Sequence, residues 1–301
     1  MNATGTLRRG RRLALASLLW TAALAAVAAF PAYAGNLVLT GHDMELHCSG
    51  GAGCDHFGVV VNFVRQGAPT KTLPILVLDS GTETATALGM AATMSHNAVE
   101  GAGNAFPITV VDPSSPAFAT TPISTANWSA IIIASDSTCG GCDNTTADIT
   151  AINARTSEIQ AFFTAGGGLL YLAGAENRAT YYASVPIPAT GVAVAPPFTV
   201  TSAGLSLGLN NTDANCCATH NSFSLPAAGS PLQVAELDSA GNAETLFAAG
   251  AGICSGTLCG GGGGGGPPVV QVPTMSEWAM LAMVGLLLAT GWVQLRRRWR
   301  G

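Results

Sequence analysis

The stretch Thr145–Ala173 reads TTADITAINARTSEIQAFFTAGGGLLYLA, and its two halves follow different periods. In the first half Ile149, Ile152, Ile159, Phe162 and Phe163 recur near every 3.6 residues, which lines them along one stripe of a helix. Thr145 or Thr146 can cap its start and Gly166 to Gly168 ends it, so the spacing predicts a helix over 145–165. Leu169 to Ala173 is then apolar without alternation, as strands buried on both faces are. A helix that delivers the chain into such a strand is half of a βαβ unit.

The same grammar extends outward from this stretch. Asn36 to Thr40, Pro74 to Leu78, Ile108 to Val111 and Ala130 to Ala134 are further short runs dense in Val, Ile and Leu. Phe57 to Gln66 and Thr82 to Asn97 can be helices between them. Alternation of this kind predicts an α/β fold with a doubly wound, mostly parallel sheet. Near the end, Leu232 to Leu237 and Glu244 to Ala248 flank Asp238-Ser239-Ala240-Gly241-Asn242, which predicts a hairpin finishing one edge of the sheet.

Only 10% of the 301 residues are charged, well under half the roughly 25% usual for a soluble domain. Between positions 35 and 272 the basic residues are Arg65, Lys71, Arg155 and Arg178, against sixteen acids. So acidic a segment repels nucleic acid and anionic lipid and favours cations. The other eight basic residues stand at the two ends, where the chain carries addresses.

Arg8 to Arg12, the apolar run Leu13 to Phe30 and the small-x-small site Ala32-Tyr33-Ala34 have the layout of a secretory signal peptide over 1–34; a retained anchor is the alternative. An ectodomain spans 35–253, then comes a Cys/Gly/Pro-rich linker over 254–271 with Gly260 to Gly266 and Pro267-Pro268. At 272–301 come Val272-Pro273-Thr274-Met275-Ser276-Glu277-Trp278, an apolar stretch to Val293, and Arg296, Arg297, Arg298 and Arg300. Trp278 to Val293 would span about 24 Å as a helix, short of the roughly 30 Å hydrocarbon core, and the arginines should remain cytoplasmic. This end resembles the IPTL-CTERM sorting signal of Gram-negative bacteria. The resemblance implies a C-terminal transmembrane sorting helix, export machinery and an exosortase-type processing enzyme as partners, and the envelope or surface as destination. A plain C-terminal anchor is the alternative.

The ectodomain resembles the class I glutamine amidotransferase-like fold, a flavodoxin-like sheet, and within it the trehalose-utilisation-type proteins. Val38-Leu39-Thr40-Gly41-His42-Asp43, Trp128-Ser129-Ala130-Ile131-Ile132-Ile133 and Ala165 to Ala175 carry the likeness, with the late hairpin. Amidotransferases place a cysteine on the sharp turn after the fifth strand. Here that turn reads Leu172-Ala173-Gly174-Ala175-Glu176, with neither Cys nor Ser, so the resemblance implies the fold and not the catalytic residues.

In open α/β sheets ligands bind beyond the carboxyl ends of the strands. Asp43, Asp79, Asp112, Asp136 and Glu176 stand there with His42, and Asp55-His56 lies in the first loop. His42, Asp43, Asp79 and Asp136 are candidate ligands of a divalent metal, unless such acids only cap turns and helices. His42, Asp43 and Asp136 are the candidates for acid–base work on a bound water in a hydrolase-like enzyme; a non-catalytic ligand-binding domain is the leading expectation.

The eight cysteines of an exported chain read first as disulfides. Cys48 with Cys54 and Cys254 with Cys259 are the expected local pairs, while Cys139 and Cys142 pair together or cross to Cys216 and Cys217, adjacent cysteines being poor partners for each other. Cys139-Gly140-Gly141-Cys142 also has the spacing of a redox motif. Cys139, Cys142, Cys216 or Cys217, and His220 have the donor types of a zinc site. His47 and His96 read as isolated, and Trp128, Tyr171, Tyr181 and Tyr182 as packing rather than a sugar platform.

Overall fold

Each of the five apolar runs forms a strand in the computed structural model: β1 Leu37–Thr40, β2 Ile75–Leu78, β3 Ile108–Val111, β4 Ala130–Ile133 and β5 Gly168–Tyr171. They make one parallel run in the order β3-β2-β4-β5-β1. The structure describes residues 35–48, 52–92, 106–140 and 143–250. The expected signal peptide 1–34, the linker 254–271 with its Cys254 and Cys259, and the sorting signal 272–301 lie outside them. Among the described residues no helix is long and apolar enough to cross a membrane, and the stretch Trp278 to Val293 is not among them.

The fold is mixed α/β with both faces of a mostly parallel sheet covered, because alternate residues of each buried strand point to opposite sides. In β4, Ala130 and Ile132 join one core with Phe57, Val60 and Val64 of the helix Ala52–Gln66 and with Leu88 of the helix Glu83–Ala91. Ile131 and Ile133 join the other core with Ile149, Ile152, Ile159 and Phe162. Truncating any of these isoleucines to Ala removes about 2–5 kcal/mol of stability.

The single helix expected over 145–165 is two, Thr146–Ala154 and Thr156–Thr164, broken at Arg155 (φ −106°, ψ 19°). Thr145 caps the first through a reciprocal box with Asp148. At the break, the Arg155 guanidinium donates to the carbonyls of Phe118 and Thr121 and to Glu158, tying the helix to the short helix Pro116–Thr120 and its cap.

Strand order departs from the 2-1-3-4-5 of a flavodoxin-like sheet. Counted from β2, the run is that order with β1 in the fifth place. The expected hairpin forms, β9 Gln233–Leu237 and β10 Ala243–Ala248, but does not finish an edge. β10 runs antiparallel to β1, with Leu37 opposite Ala248 and Thr40 opposite Thr245, and is buried along its whole length. Three two-residue strands complete the mixed end: β6 Gly191–Val192, β7 Thr199–Val200 and β8 Ser222–Phe223, with β7 on β9, β8 on β10 and β6 on β8.

Candidate metal centre

Beyond Thr40 the chain leaves β10 and meets residues 218–221. His42 bridges Thr219, the N–H of His220 donates to the Gly41 carbonyl at 2.8 Å, and Gly41 packs so closely on the Asn221 carbonyl that no side chain fits there. Successive residues of an extended segment face opposite ways, so His42 and Asp43 enter different surroundings.

His42 turns into the interior. Its Nε2 lies 3.0 Å from Glu244 Oε2 on β10 and 3.5 Å from Glu236 Oε2 on β9. Its Nδ1 is 2.6 Å from Thr219 Oγ1, and His56 of the helix Ala52–Gln66 meets its ring edge-on at 5.1 Å. All four ionisable residues are buried. One ligand atom from each of His42, His56 and Glu236 lies within 4.8 Å of the other two. His42 Nε2 faces Glu244 and Glu236, and the Glu236 oxygens face His42 and His56; His56 Nε2 has no hydrogen-bond partner, although buried polar atoms are rarely left so. Glu244 is better served: Oε1 accepts from Thr40 Oγ1 and the Gly41 N–H at 3.1 and 2.9 Å, and Oε2 from Thr245 Oγ1 at 2.5 Å.

The charges are interdependent. Burial opposes a charge on His42, yet Glu244 and Glu236 overcome it and raise the imidazole to about 10. Burial lowers His56. Burial works against an ionised Glu236, but His56 and His42 together hold its carboxyl below the ordinary range. Burial pushes Glu244 up to about 7.

Asp43, also buried, faces the other way. Its Oδ2 receives His220 Nε2 at 2.9 Å and stands 3.3 Å from His47 Nε2, so His47 is not isolated. Asp43, Cys139 and His220 form a second group with donor atoms within 4.8 Å of one another. Cys139, however, is disulfide-bonded, which removes the thiolate a metal would need.

The structure does not bring the other strand-end acids to His42. With β2 three strand spacings from β1 and β4 two, about 14 and 10 Å separate these ends. Asp79 accepts the N–H groups of Gly81 and Thr84, and Asp136 accepts from Thr138 N and Asn177 Nδ2, both acting as local caps. Asp112 caps Ser114, and Glu176 is exposed.

Cys48 and Cys54 are bonded as expected. Cys216 and Cys217 are bonded to each other, correcting both the expected crossing to Cys139 and Cys142 and the zinc quartet that drew on these thiols. Tyr171, Tyr181 and Tyr182 are packed in the core, Tyr182 bridging the Thr40 and Leu172 carbonyls, so they offer no platform for a sugar.

At the turn after β5, Ala175 has φ 43°, the sole non-glycine residue with positive φ among the described residues. The turn is sharp, and the residue at its positive φ carries only a methyl group. The N–H groups of Gly174 and Ala175 both donate to Asn221 Oδ1, at 2.9 and 3.2 Å.

The chain matches no protein-family model, no curated protein and no solved structure. The chemistry of its own residues is therefore the guide to what it does.

Proposed function

We propose that this chain is an exported envelope protein, sorted through its C-terminal signal, whose α/β domain binds a divalent metal and does not turn over a substrate at its strand ends. The buried ligand atoms of His42, His56 and Glu236, converging from three elements within 4.8 Å of one another, carry this reading.

Two imidazoles and a carboxylate suit Zn²⁺, Mn²⁺ or Fe²⁺. The contact between Thr219 Oγ1 and His42 Nδ1 leaves Nε2 to face the site, the outer-shell arrangement that orients a ligating histidine. Bound there, a metal would join β1, the helix Ala52–Gln66 and β9, a structural role suited to a centre with no exposed ligand. The turn after β5 argues against acyl transfer, since it has no nucleophile and the amide of Asn221 occupies the N–H pair that would receive an oxyanion.

The test is elemental analysis and native mass of the full chain purified from the periplasm, with Zn²⁺, Mn²⁺ or Co²⁺ added back after chelation. About one equivalent should bind, and His56→Ala and Glu236→Gln should each lose it while keeping native circular dichroism. A wild-type chain that takes up none of the three metals, or variants that retain it, would overturn the reading.

A further inference from the structure

We infer that the Cys216–Cys217 disulfide is a thiol–disulfide exchange site, which takes two electrons from the dithiol of a partner protein. The inference does not rest on the metal reading, since that centre uses neither sulfur.

The bond joins neighbours in the chain. The peptide unit holds their Cα atoms 3.8 Å apart, short of the roughly 4.4–6.8 Å that a disulfide ordinarily bridges, and bonds held outside that range are the more readily reduced. Cys216 is exposed and Cys217 half-buried, so a thiol can reach the pair from solvent. Disulfides that are both constrained and accessible are the labile, chemically active kind.

The chain on either side is pinned. Cys216 donates its N–H to the Asp213 carbonyl at 3.1 Å, just after the short helix Asn211–Ala214, and Asn215 exchanges two 2.8 Å hydrogen bonds with the backbone of Phe198. Beyond the pair, the Ala218 carbonyl accepts from the Asp43 N–H, and the His220 N–H donates to the Gly41 carbonyl. Opening the bond therefore leaves both sulfurs in place, and the pair can close again without refolding.

Gly53, the second residue of the 15-residue helix Ala52–Gln66, makes room for the sulfurs: a Cβ there would lie 2.6 Å from Cys217 Sγ and 3.4 Å from Cys216 Sγ. Cys217 thus rests against the first turn of a helix, the end that favours a thiolate.

The other described cysteines lack this combination. Cys48 and Cys54 are 3% and 0% exposed, and Cys48 Sγ contacts the Ala87 carbonyl. Cys139 is half-buried, and Cys142, the second cysteine of its motif, lies outside the described residues. Among the described cysteines Cys216 alone is exposed.

In the exchange, a client thiolate attacks the exposed Cys216 Sγ, the sulfur–sulfur bond breaks, and Cys217 departs as thiolate. The client's second thiolate then attacks the client sulfur of this mixed disulfide and releases Cys216 as thiolate. Two electrons and two protons pass from the client dithiol, which becomes a disulfide, to the protein, which becomes a dithiol.

The test equilibrates the oxidised full chain with graded mixtures of reduced and oxidised dithiothreitol, blocks free thiols with N-ethylmaleimide and maps the peptides by mass. The peptide holding Cys216 and Cys217 should gain two labels at a ratio of reduced to oxidised dithiothreitol about tenfold or more below the ratio that labels Cys48, Cys54 or Cys139. Labelling of the pair together with any of those, or after them, overturns the inference. A reduced model peptide with two cysteines, added at one equivalent, should become a disulfide as the pair opens, and Cys216→Ser should slow that transfer at least about tenfold. A peptide oxidised as fast by Cys216→Ser as by the wild type overturns the inference. Where that variant fails to keep the Cys48–Cys54 bond, the order of labelling in the wild type decides alone.

Discussion

The side-chain oxygen of Asn221 lies 3.2 Å from the backbone N–H of Ala175, the residue held at φ 43° on the turn after β5. The turn's conformation and its occupied N–H pair therefore depend on a residue from a distant segment. Asn221→Ala should leave the buried N–H of Ala175 without its partner and cost on the order of 3 kcal/mol. Ala175→Gly should instead stabilise by about 0.5–1 kcal/mol, relief of the left-handed strain outweighing the added freedom of the unfolded chain. Urea unfolding of both variants checks the two signs, and a destabilised Ala175→Gly would show that the turn is not strained.

Stability of the metal-free chain should fall as pH rises from about 7 to 10. His42, raised to about 10 from its ordinary 6.5, stabilises the fold fully below 6.5, and that contribution is lost as pH rises through about 10. Glu244, at about 7, and Asp143, pushed up to about 8 by burial and by Asp79 and Glu83, lose their contributions between the ordinary carboxylate values and those pH values, so above about 8 the fall is that of His42. His56, being lowered, acts in the opposite sense only below its ordinary value. Urea midpoints of chelated protein across this range are the measurement; a midpoint that climbs from pH 7 to 10 would contradict the charge assignment.

Metal uptake should expel protons. At pH 7 His42 carries a proton that a ligand cannot keep, and Glu244 is partly protonated beside it. Calorimetric titration with Zn²⁺ in two buffers of different ionisation enthalpy should give a release of about one to two protons, with affinity rising between pH 6 and 8. Binding without proton release would place the ion away from His42.

Asp79→Ala and Asp136→Ala should each cost about 1 kcal/mol through lost caps and leave bound metal unchanged. Denaturation midpoints and metal content measured on the same samples separate the two roles. Loss of metal in either variant would mean that the strand-end acids converge after all.

Ending the chain after Gln271 should release the domain from the membrane fraction, and Pro273→Ala with Trp278→Ala should block any processing of the full chain. Fractionation and intact mass of the exported protein test this. A truncated chain that stays with the membrane would argue against the sorting signal.

The strands and the principal helices were legible because burial on both faces leaves uninterrupted apolar runs, and Thr145 with Asp148 writes a cap into the sequence. Strand order was not, since nothing local in Leu37–Thr40 states that it lies beside β5 and β10. That long-range fact decides the site: it keeps Asp79 and Asp136 from His42 and brings in Glu236 and Glu244 from the hairpin. A signal for these two did exist. Each is a carboxylate set within a run of strand-forming residues, Val234-Ala235-Glu236-Leu237 and Ala243-Glu244-Thr245-Leu246, where an unpaired charge is costly. His56 was read in the first loop, not on the helix, because the helix begins at Ala52, ahead of the apolar periodicity that marks it from Phe57. The Cys216–Cys217 bond ran against the general preference for wider spacing, which sequence separation alone cannot overrule.

The pairing of β1 with β10 also sets the order in which this fold can be completed. The first strand finds its antiparallel neighbour in the last one, from Leu37 against Ala248 to Thr40 against Thr245. A chain made N-terminus first holds β1 open-edged until residue 248 has arrived, and the candidate metal centre stays incomplete until Glu236 has joined it. Contacts so distant in sequence make closure slow. The delay leaves β1 exposed, for that interval, to strand pairing with a neighbouring copy.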